Sequence, residues 1–135
     1  DATGSCLCGE VEYRITGNMG IFQYCHCSRC RKVTGSAHAS NLFVKPDQFI
    51  WLKGQSSVVN FLPKETKYFA TAFCEKCGSS LPWRSKGSKV IIVPAGTLDA
   101  SPGIEPIQNI FCGSKAEWYK APSELPEYTE LPVRG

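Results

Sequence analysis

Residues 25–30 read Cys25-His26-Cys27-Ser28-Arg29-Cys30, and this run of thiols decides how the rest of the sequence is interpreted. Outward from it lie two thiol pairs, Cys6-Leu7-Cys8 and Cys74-Glu75-Lys76-Cys77, with Cys112 alone. Cysteines one residue apart are poorly placed to form a disulfide, but their thiolates can hold one metal ion about 2.3 Å from each sulfur. A chain of 135 residues can also build a core without disulfides. The spacing therefore predicts metal ligands.

The cysteines divide by proximity, because near neighbours chelate one ion together. Joining the two pairs gives a closed four-thiolate site of the structural zinc type, formed by Cys6, Cys8, Cys74 and Cys77. The triplet that remains, Cys25, Cys27 and Cys30, leaves a tetrahedral ion one open position, which is the catalytic pattern. A rival division joins Cys6/Cys8 with Cys25/Cys27 and leaves Cys30, Cys74 and Cys77. It ranks second because it separates Cys27 from Cys30.

Length and composition limit the classes of protein that remain. A chain of 135 residues that is 42% hydrophobic predicts a single folded domain over residues 1–135. No stretch approaches the roughly 18 apolar residues of a membrane helix, and free thiolates favour a reducing compartment, so we expect a cytoplasmic protein. The formal charge of +3 would fall to about zero with both zinc ions bound, so no nucleic-acid partner is expected.

Alternation of polar and apolar residues predicts strands. Residues 10–16 alternate without a break, Gly17-Asn18-Met19-Gly20 has turn chemistry, and residues 21–24 are expected to run back as the second strand of a hairpin. Such a hairpin would place Cys8 and Cys25 at the same open end, and so both metal sites on one edge of a sheet.

Short strands separated by Gly and Pro continue along the chain. They are predicted at residues 39–44, 49–53, 57–62, 68–73, 79–84, 90–95 and 107–111. Only residues 28–33 and 114–120 favour a helical turn or two. The fold class is therefore all-β, with several short antiparallel sheets. The proline-rich segment 121–132 should lie against the sheet surface, held by the apolar residues Trp118, Tyr119, Leu125 and Tyr128.

Three motifs carry a resemblance to a known family. They are Gly4-Ser5-Cys6-Leu7-Cys8-Gly9-Glu10-Val11, Cys25-His26-Cys27-Ser28-Arg29-Cys30-Arg31-Lys32-Val33-Thr34-Gly35-Ser36 and Phe73-Cys74-Glu75-Lys76-Cys77-Gly78-Ser79. Together they resemble the glutathione-dependent formaldehyde-activating enzyme (GFA) family, which includes the centromere protein V (CENP-V) domain. The resemblance extends from about residue 4 to residue 132.

The resemblance implies both a fold and an activity. The fold would consist of several coiled antiparallel sheets stapled by zinc, a β-tent as in methionine sulfoxide reductase B. Two Zn²⁺ ions would be bound per chain, a structural one by Cys6, Cys8, Cys74 and Cys77 and a catalytic one by Cys25, Cys27 and Cys30. The activity would be addition of glutathione to formaldehyde, a carbon–sulfur lyase reaction in reverse. Asn109 stands where the family often has a histidine, so any role of that histidine would be missing here.

The chemistry of a three-thiolate site points the same way. Zinc with three thiolates is soft and suits a fourth sulfur, so a docked substrate thiol would lose its proton and attack a small carbonyl. The basic residues Arg29, Arg31 and Lys32 could hold a substrate carboxylate or lie solvated beside the site. The expected partners are therefore a small thiol and an aldehyde.

The remaining candidate ligands are weaker. His26 should point away from its neighbouring cysteines if the segment is extended. His38 is a possible fourth ligand but is more simply a hydrogen-bonded histidine. Cys112 should be a small buried hydrophobe, with a fourth thiolate or redox partner as its alternative role.

Two function classes remain open. The first is a zinc-dependent carbon–sulfur lyase. The second is a non-catalytic zinc-binding domain that acts as a thiol carrier or protein-interaction module. Methionine sulfoxide reduction by Cys112 is weaker, because the cysteine triplet has no part in that chemistry. The thiol, the aldehyde and the oligomeric state are left open by the sequence.

Overall fold

The computed structural model describes residues 1–87 and 89–132. Within those residues the protein is mostly β, with three small sheets and one short α-helix, which confirms the predicted fold class. Along the chain the elements are β1 (Ala2–Ser5), β2 (Glu12–Ile15), β3 (Phe22–Cys25), α1 (Ser28–Thr34), β4 (Ala39–Val44), β5 (Phe49–Lys53), β6 (Val58–Phe61), β7 (Thr71–Cys74), β8 (Trp83–Arg84), β9 (Ile91–Pro94) and β10 (Asn109–Ile110). No described helix is long and apolar enough to cross a membrane.

The three sheets differ in size and position. One has the order β1-β2-β5, a second has the order β10-β3-β4-β9-β8, and β6 pairs with β7 to form the third. The pairs are antiparallel except that of β10 with β3, where Asn109 lies opposite Tyr24 and Ile110 opposite Cys25. The prediction of antiparallel sheets is therefore wrong at the β10 edge of the five-stranded sheet. A long connection separates β9 from β10, which allows β10 to run in the same direction as β3.

The predicted hairpin of residues 10–24 is also wrong. β2 pairs with β1 on one side and β5 on the other, whereas β3 belongs to a different sheet. Strand β1, which was not predicted, occupies the edge of β2. The Gly20 N–H donates to the Phe43 carbonyl at 2.8 Å, and the Phe43 N–H donates to the Ile21 carbonyl at 2.9 Å. These bonds join the end of the turn at residues 17–20 to β4. β2 and β3 therefore form no hairpin that could place both metal sites on one edge of a sheet.

The core lies between the two larger sheets. Its buried cluster contains Tyr13 and Ile15 from β2 together with Leu42, Val44 and Val93 from β4 and β9. On β2 the inward-facing residues alternate with more exposed ones, as expected for a sheet with one buried face, whereas the first three residues of β9 are all buried. The aromatic residues of β5 close one end of this core, since the Tyr13 and Phe49 rings stack with centroids 5.4 Å apart.

Glycine is required where β1 crosses the ring of Tyr13. Gly4 pairs with Tyr13 across the two strands, and an added Cβ there would overlap the Tyr13 ring and crowd the Thr97 carbonyl oxygen. The close approach of this backbone therefore excludes any larger residue without movement of the core.

The end of the described chain departs from the prediction. Residues 114–120 form no regular α-helix, and a 3₁₀ turn over Cys112–Ser114 precedes them. Trp118, Leu125 and Tyr128 are exposed, so they do not hold the proline-rich segment against a sheet. Of the four predicted anchors only Tyr119 packs, with its ring centroid 5.3 Å from that of His26. Proline lacks the N–H that a ladder strand would use, so little else fastens this segment.

Candidate metal centres

The four-cysteine group forms where two tight turns meet. Cys6 directly follows β1 and Cys74 ends β7, and each begins a turn closed by a glycine. The Gly9 N–H donates to the Cys6 carbonyl at 3.1 Å, and the Gly78 N–H donates to the Cys74 carbonyl at 2.7 Å. Both glycines have positive φ, 79° and 76°, which lets the chain turn sharply enough to return the second cysteine of each pair to the first.

The sulfurs of this group have the spacing of metal ligands. All four Sγ atoms, from Cys6, Cys8, Cys74 and Cys77, lie within 4.8 Å of one another. Cys6 Sγ is 3.6 Å from Cys8 Sγ, which in turn is 3.9 Å from Cys74 Sγ. A disulfide needs about 2.05 Å, whereas a tetrahedron with metal–sulfur bonds of about 2.3 Å has edges of about 3.8 Å. The donor set therefore fits a tetrahedral zinc ion.

Backbone and hydroxyl groups surround these sulfurs. The Val11 N–H donates to Cys6 Sγ at 3.3 Å, and Cys77 Sγ lies 3.2 Å from Ser79 Oγ. Hydrogen bonds from the Ser79 hydroxyl and backbone lower the pKa of Cys77 to about 6. A backbone hydrogen bond from Glu10 lowers the pKa of Cys8, but desolvation and the neighbouring thiols outweigh it and raise that pKa to about 11. Four thiols this close cannot all ionise unless a cation compensates their charge.

The three-cysteine group is built by one strand end and the helix that follows. Cys25 is the last residue of β3, Cys27 caps the N-terminus of α1, and Cys30 is the buried residue of that helix. The Cys30 N–H donates to Cys27 Sγ at 3.4 Å, so the thiol takes the place of the usual oxygen cap. The short helix returns Cys30 toward Cys25, and the three Sγ atoms lie within 4.8 Å of one another.

Two of these three thiols, Cys25 and Cys30, shift each other's pKa in opposite directions. A hydrogen bond from Cys30 lowers the pKa of Cys25 to about 6, and the same bond raises the pKa of Cys30. Cys25 and Cys30 are 5% and 4% exposed, so full ionisation again requires a cation. An all-sulfur set of three fits zinc, with one tetrahedral position left for another ligand.

Two histidines lie next to this group without joining it. His26 is 1% exposed, and its Nε2 is 2.9 Å from Asn109 Oδ1. Because the amide oxygen only accepts, Nε2 carries the proton, and the buried Nδ1 has no partner among the described residues. His38 stacks on Tyr24 with centroids 4.3 Å apart, and its Nδ1 lies 3.2 Å from the Ala39 carbonyl. Neither side chain belongs to the three-sulfur group within the described structure.

Cys112 is exposed, so the prediction of a buried hydrophobe is wrong. Phe111 before it has φ 56°, the left-handed region that non-glycine residues rarely adopt, and this directs the chain outward into the 3₁₀ turn. The Arg31 guanidinium donates to the Ser114 carbonyl at 3.1 Å and holds this turn. Arg31 therefore supports the neighbouring chain rather than a ligand position.

A cavity of about 630 Å³ opens beside the three-cysteine group. All three cysteines line it, and its walls include Phe69, Trp83 and Ile110. Of the three basic residues beside the triplet, Arg29 alone lines it. The other lining residues come from strands and loops far apart in the chain, so no sequence motif could have identified them. The cavity volume is in the range of small-molecule sites.

Comparison with known proteins gives a fold relative and a family. No curated protein matches the sequence significantly. A crystal structure of a Rhodobacter sphaeroides protein, a structural genomics target, is 18% identical and superposes with a TM-score of 0.62, covering 79% of this chain and 98% of that chain. At that identity the likeness concerns the fold alone. The sequence model of the glutathione-dependent formaldehyde-activating enzyme family matches residues 1–114, which contain both cysteine groups, and the chain therefore belongs to that family.

Proposed function

We propose that this protein is a zinc-dependent enzyme of the carbon–sulfur lyase type, which activates a thiol for reversible addition to formaldehyde or a similar small aldehyde. The observation that carries the proposal is the opening of a three-sulfur group onto a cavity of about 630 Å³. Family membership supports the same chemistry, because the family is described as glutathione-dependent and formaldehyde-activating.

The two cysteine groups have different roles in this proposal. Cys6, Cys8, Cys74 and Cys77 supply a complete tetrahedral set and tie β1 to β7, which gives them a structural role. Cys25, Cys27 and Cys30 supply three sulfurs and line the cavity, so a zinc ion held by them would lie beside a space that a substrate can enter. Zinc bound at the second group would lower the pKa of a substrate thiol that supplies the fourth sulfur.

The pocket residues bind and orient the reactants. Phe69, Trp83 and Ile110 make the walls beside the cysteines largely apolar, which excludes water from the forming carbon–sulfur bond. The reaction joins the thiol sulfur to the carbonyl carbon as the carbon–oxygen double bond becomes single. The proton lost by the thiol ends on the new hydroxyl oxygen. The described lining has no His, Asp or Glu to transfer this proton, so water at the open, basic side of the cavity carries it to the oxygen.

Residue 109 supports the site instead of transferring a proton. Asn109 Oδ1 accepts the hydrogen bond from His26 Nε2, and the Asn109 backbone pairs with β3. Both contacts hold the segment Cys25-His26-Cys27 against β10. An amide does not titrate, so the acid–base role of a histidine at this position is absent from the reaction that we propose.

The partners and location follow from the same chemistry. A small thiol and a small aldehyde are the substrates, and two Zn²⁺ ions per chain are the cofactors. All eight cysteines are unpaired, as the cytoplasm would keep them, and we place the enzyme there.

The test is adduct formation followed by exchange NMR. Zinc-loaded protein is mixed with formaldehyde and a series of thiols. The rate at which the S-hydroxymethyl adduct forms is compared with the rate in buffer without protein. We expect acceleration that Cys27→Ser removes and that Cys112→Ser, which changes an exposed thiol outside both groups, retains. Metal analysis of Cys27→Ser should still find about one zinc ion per chain, bound by the four-cysteine group. That result would show that the variant is folded and that its loss of activity has another cause. No acceleration with any thiol would refute the proposed enzymatic activity.

The non-catalytic alternative predicts a different coordination. If both ions are structural, X-ray absorption should find four protein ligands at each, the fourth at the triplet coming from another side chain or another copy of the chain. In the described structure His38 packs on Tyr24 and Cys112 stands outside the triplet, so neither favours this alternative. A shell of three sulfurs and one exchangeable ligand would support the enzyme.

A further inference from the structure

The charged side chains around the cavity beside the cysteine triplet are basic, and they outweigh the net charge of about −1 that three thiolates with one zinc ion would carry. The described lining of this cavity contains the basic residues Arg29, Lys67, Lys86 and Lys89, and it contains no aspartate or glutamate. A cavity lined by charges of one sign concentrates ligands of the opposite sign and repels those of the same sign.

One of the four cations is already used by the fold. The Lys86 ammonium donates to the carbonyl oxygens of Pro63 and Thr66 and also lies 3.4 Å from Thr66 Oγ1. Lys86 thus fastens the loop before β7 to the turn after β8 and has little hydrogen-bonding capacity left. Arg29, Lys67 and Lys89 are exposed, and their charged groups remain available to a ligand.

The body of the cavity is apolar. Phe69 and Trp83 lie with ring centroids 5.4 Å apart, and Phe43, Ile92 and Ile110 complete the wall around them. The Arg29 guanidinium carbon is 6.0 Å from the Phe69 centroid, so cation and aromatic wall adjoin. A ligand that fills this space therefore needs an apolar part against the rings and an anionic part toward the basic residues.

Amino-acid thiols fit this arrangement poorly. Cysteine and glutathione each carry an α-ammonium group, which needs a carboxylate or carbonyl acceptor when water is removed. In this cavity the ammonium would be repelled by three cations and would find no carboxylate in the described lining, which offers only amide and hydroxyl oxygens. The second carboxylate of glutathione offsets part of this repulsion, and cysteine has no such group. A thiol that has the carboxylate but not the ammonium avoids this repulsion and keeps the attraction.

We propose that the thiol substrate of this enzyme is an anionic thiol with an aromatic or branched apolar body and no ammonium group, a mercaptocarboxylate by chemical class. The inference rests on the proposed function for the role of the thiol. The ligand preference itself depends only on the charges and walls of the cavity, so binding can be tested without reaction.

A matched pair of ligands without sulfur tests the preference. 3-Phenylpropionate and phenylalanine differ only by the α-ammonium group, and each is titrated into the zinc-loaded protein while chemical shifts of the cavity residues are followed. Phenylalanine can in addition coordinate zinc through its amine nitrogen, an effect that would favour phenylalanine and so cannot produce the expected preference. We expect 3-phenylpropionate to bind at least tenfold more tightly, and equal affinity or a preference for phenylalanine would overturn the inference.

Variants assign the effect to the cavity. The double variant Lys67→Gln/Lys89→Gln should weaken 3-phenylpropionate binding at least fivefold and reduce its salt dependence, since two exposed cations are removed. Lys45→Gln changes an exposed lysine outside the cavity and is the control. Equal affinities in the double variant and the control would refute a role for the basic residues.

The adduct assay separates this inference from the proposed function. 2-Mercapto-3-phenylpropionate and glutathione are compared as thiols with formaldehyde. A faster reaction with 2-mercapto-3-phenylpropionate supports the inference. An equal or faster reaction with glutathione would overturn the proposed class of thiol but would still support the proposed enzymatic activity. Tight binding of 3-phenylpropionate, with no adduct formed from any thiol, would support the proposed ligand class but would overturn the proposed enzymatic activity.

Discussion

Replacement of Tyr13 by phenylalanine should change how the stability of the protein depends on pH. The Tyr13 side chain is fully buried, and its hydroxyl lies 2.6 Å from Thr97 Oγ1. Thr97 donates its own proton to the Pro94 carbonyl at 2.8 Å, so Tyr13 must be the donor to Thr97. Ionisation of the phenol would place a charge in the core, and Thr97 could donate to the phenolate only by giving up its bond to Pro94.

The magnitude follows from the shift in pKa. Burial, with a smaller contribution from Asp99, raises the pKa of Tyr13 to about 12, although the bond with Thr97 lowers it in part. In the unfolded chain the pKa is about 10. Because the folded value is the higher one, this contribution is fully present below pH 10 and is lost as the pH rises toward 12. Two pKa units correspond to about 2.7 kcal/mol of unfolding free energy.

The assay is urea denaturation of the wild type and Tyr13→Phe between pH 8 and pH 12. At pH 8 the variant should be less stable by about 1 kcal/mol, because one hydrogen bond is lost. Above pH 10 the wild type should lose stability faster than the variant, and by pH 12 the variant should be the more stable protein. Other titrating groups are common to both proteins and cancel in the difference. A stability difference that stays constant from pH 8 to pH 12 would mean that folding does not raise the pKa of Tyr13.

Three further substitutions test the site and the close packing beside it. Cys74→Ser should reduce the zinc content from two ions to one and lower the stability by about 3 kcal/mol or more, because a fully buried ligand of the four-cysteine group is lost; full metal content would contradict that group. Asn109→Ala should cost about 1–3 kcal/mol in urea denaturation, because the buried His26 ring loses its one partner in the described structure, and a change below about 0.5 kcal/mol would show that this bond is unimportant. Gly4→Ala should cost about 1–3 kcal/mol, since the new Cβ overlaps the Tyr13 ring; an unchanged melting temperature would mean that β1 can move away at no cost.

The strand positions were predictable wherever the pattern was local. β4 and β5 have the bounds that alternation predicts, and β6 and β9 lie within their predicted ranges. β1 was missed because Ala2-Thr3-Gly4-Ser5 has neither bulky apolar residues nor clear alternation. The partners of each strand were less predictable. β2 and β3 are neighbours in sequence, yet β2 pairs with β1 and β5. Each edge of a strand can pair with any other strand that the chain brings beside it, so sequence order alone does not fix the partner.

The grouping of the cysteines could be worked out from their spacing. Chelation joins thiols that are close in sequence, and the four-and-three division matches the sulfur clusters of the structure. The surroundings of Cys112 could not be worked out in this way. Its exposure depends on the left-handed turn at Phe111, and that residue type does not signal such a turn.

The grouping of the cysteines, the all-β class and the family could be recognised in the sequence, because each depends on residue types at short spacings. The residues that face the three-cysteine group could be identified only from the folded chain. Arg29, Lys67, Lys89, Phe69 and Trp83 come from a helix, loops and a strand that no local pattern connects. They meet because separate sheets pack together, and the charge and shape of the cavity arise from that packing.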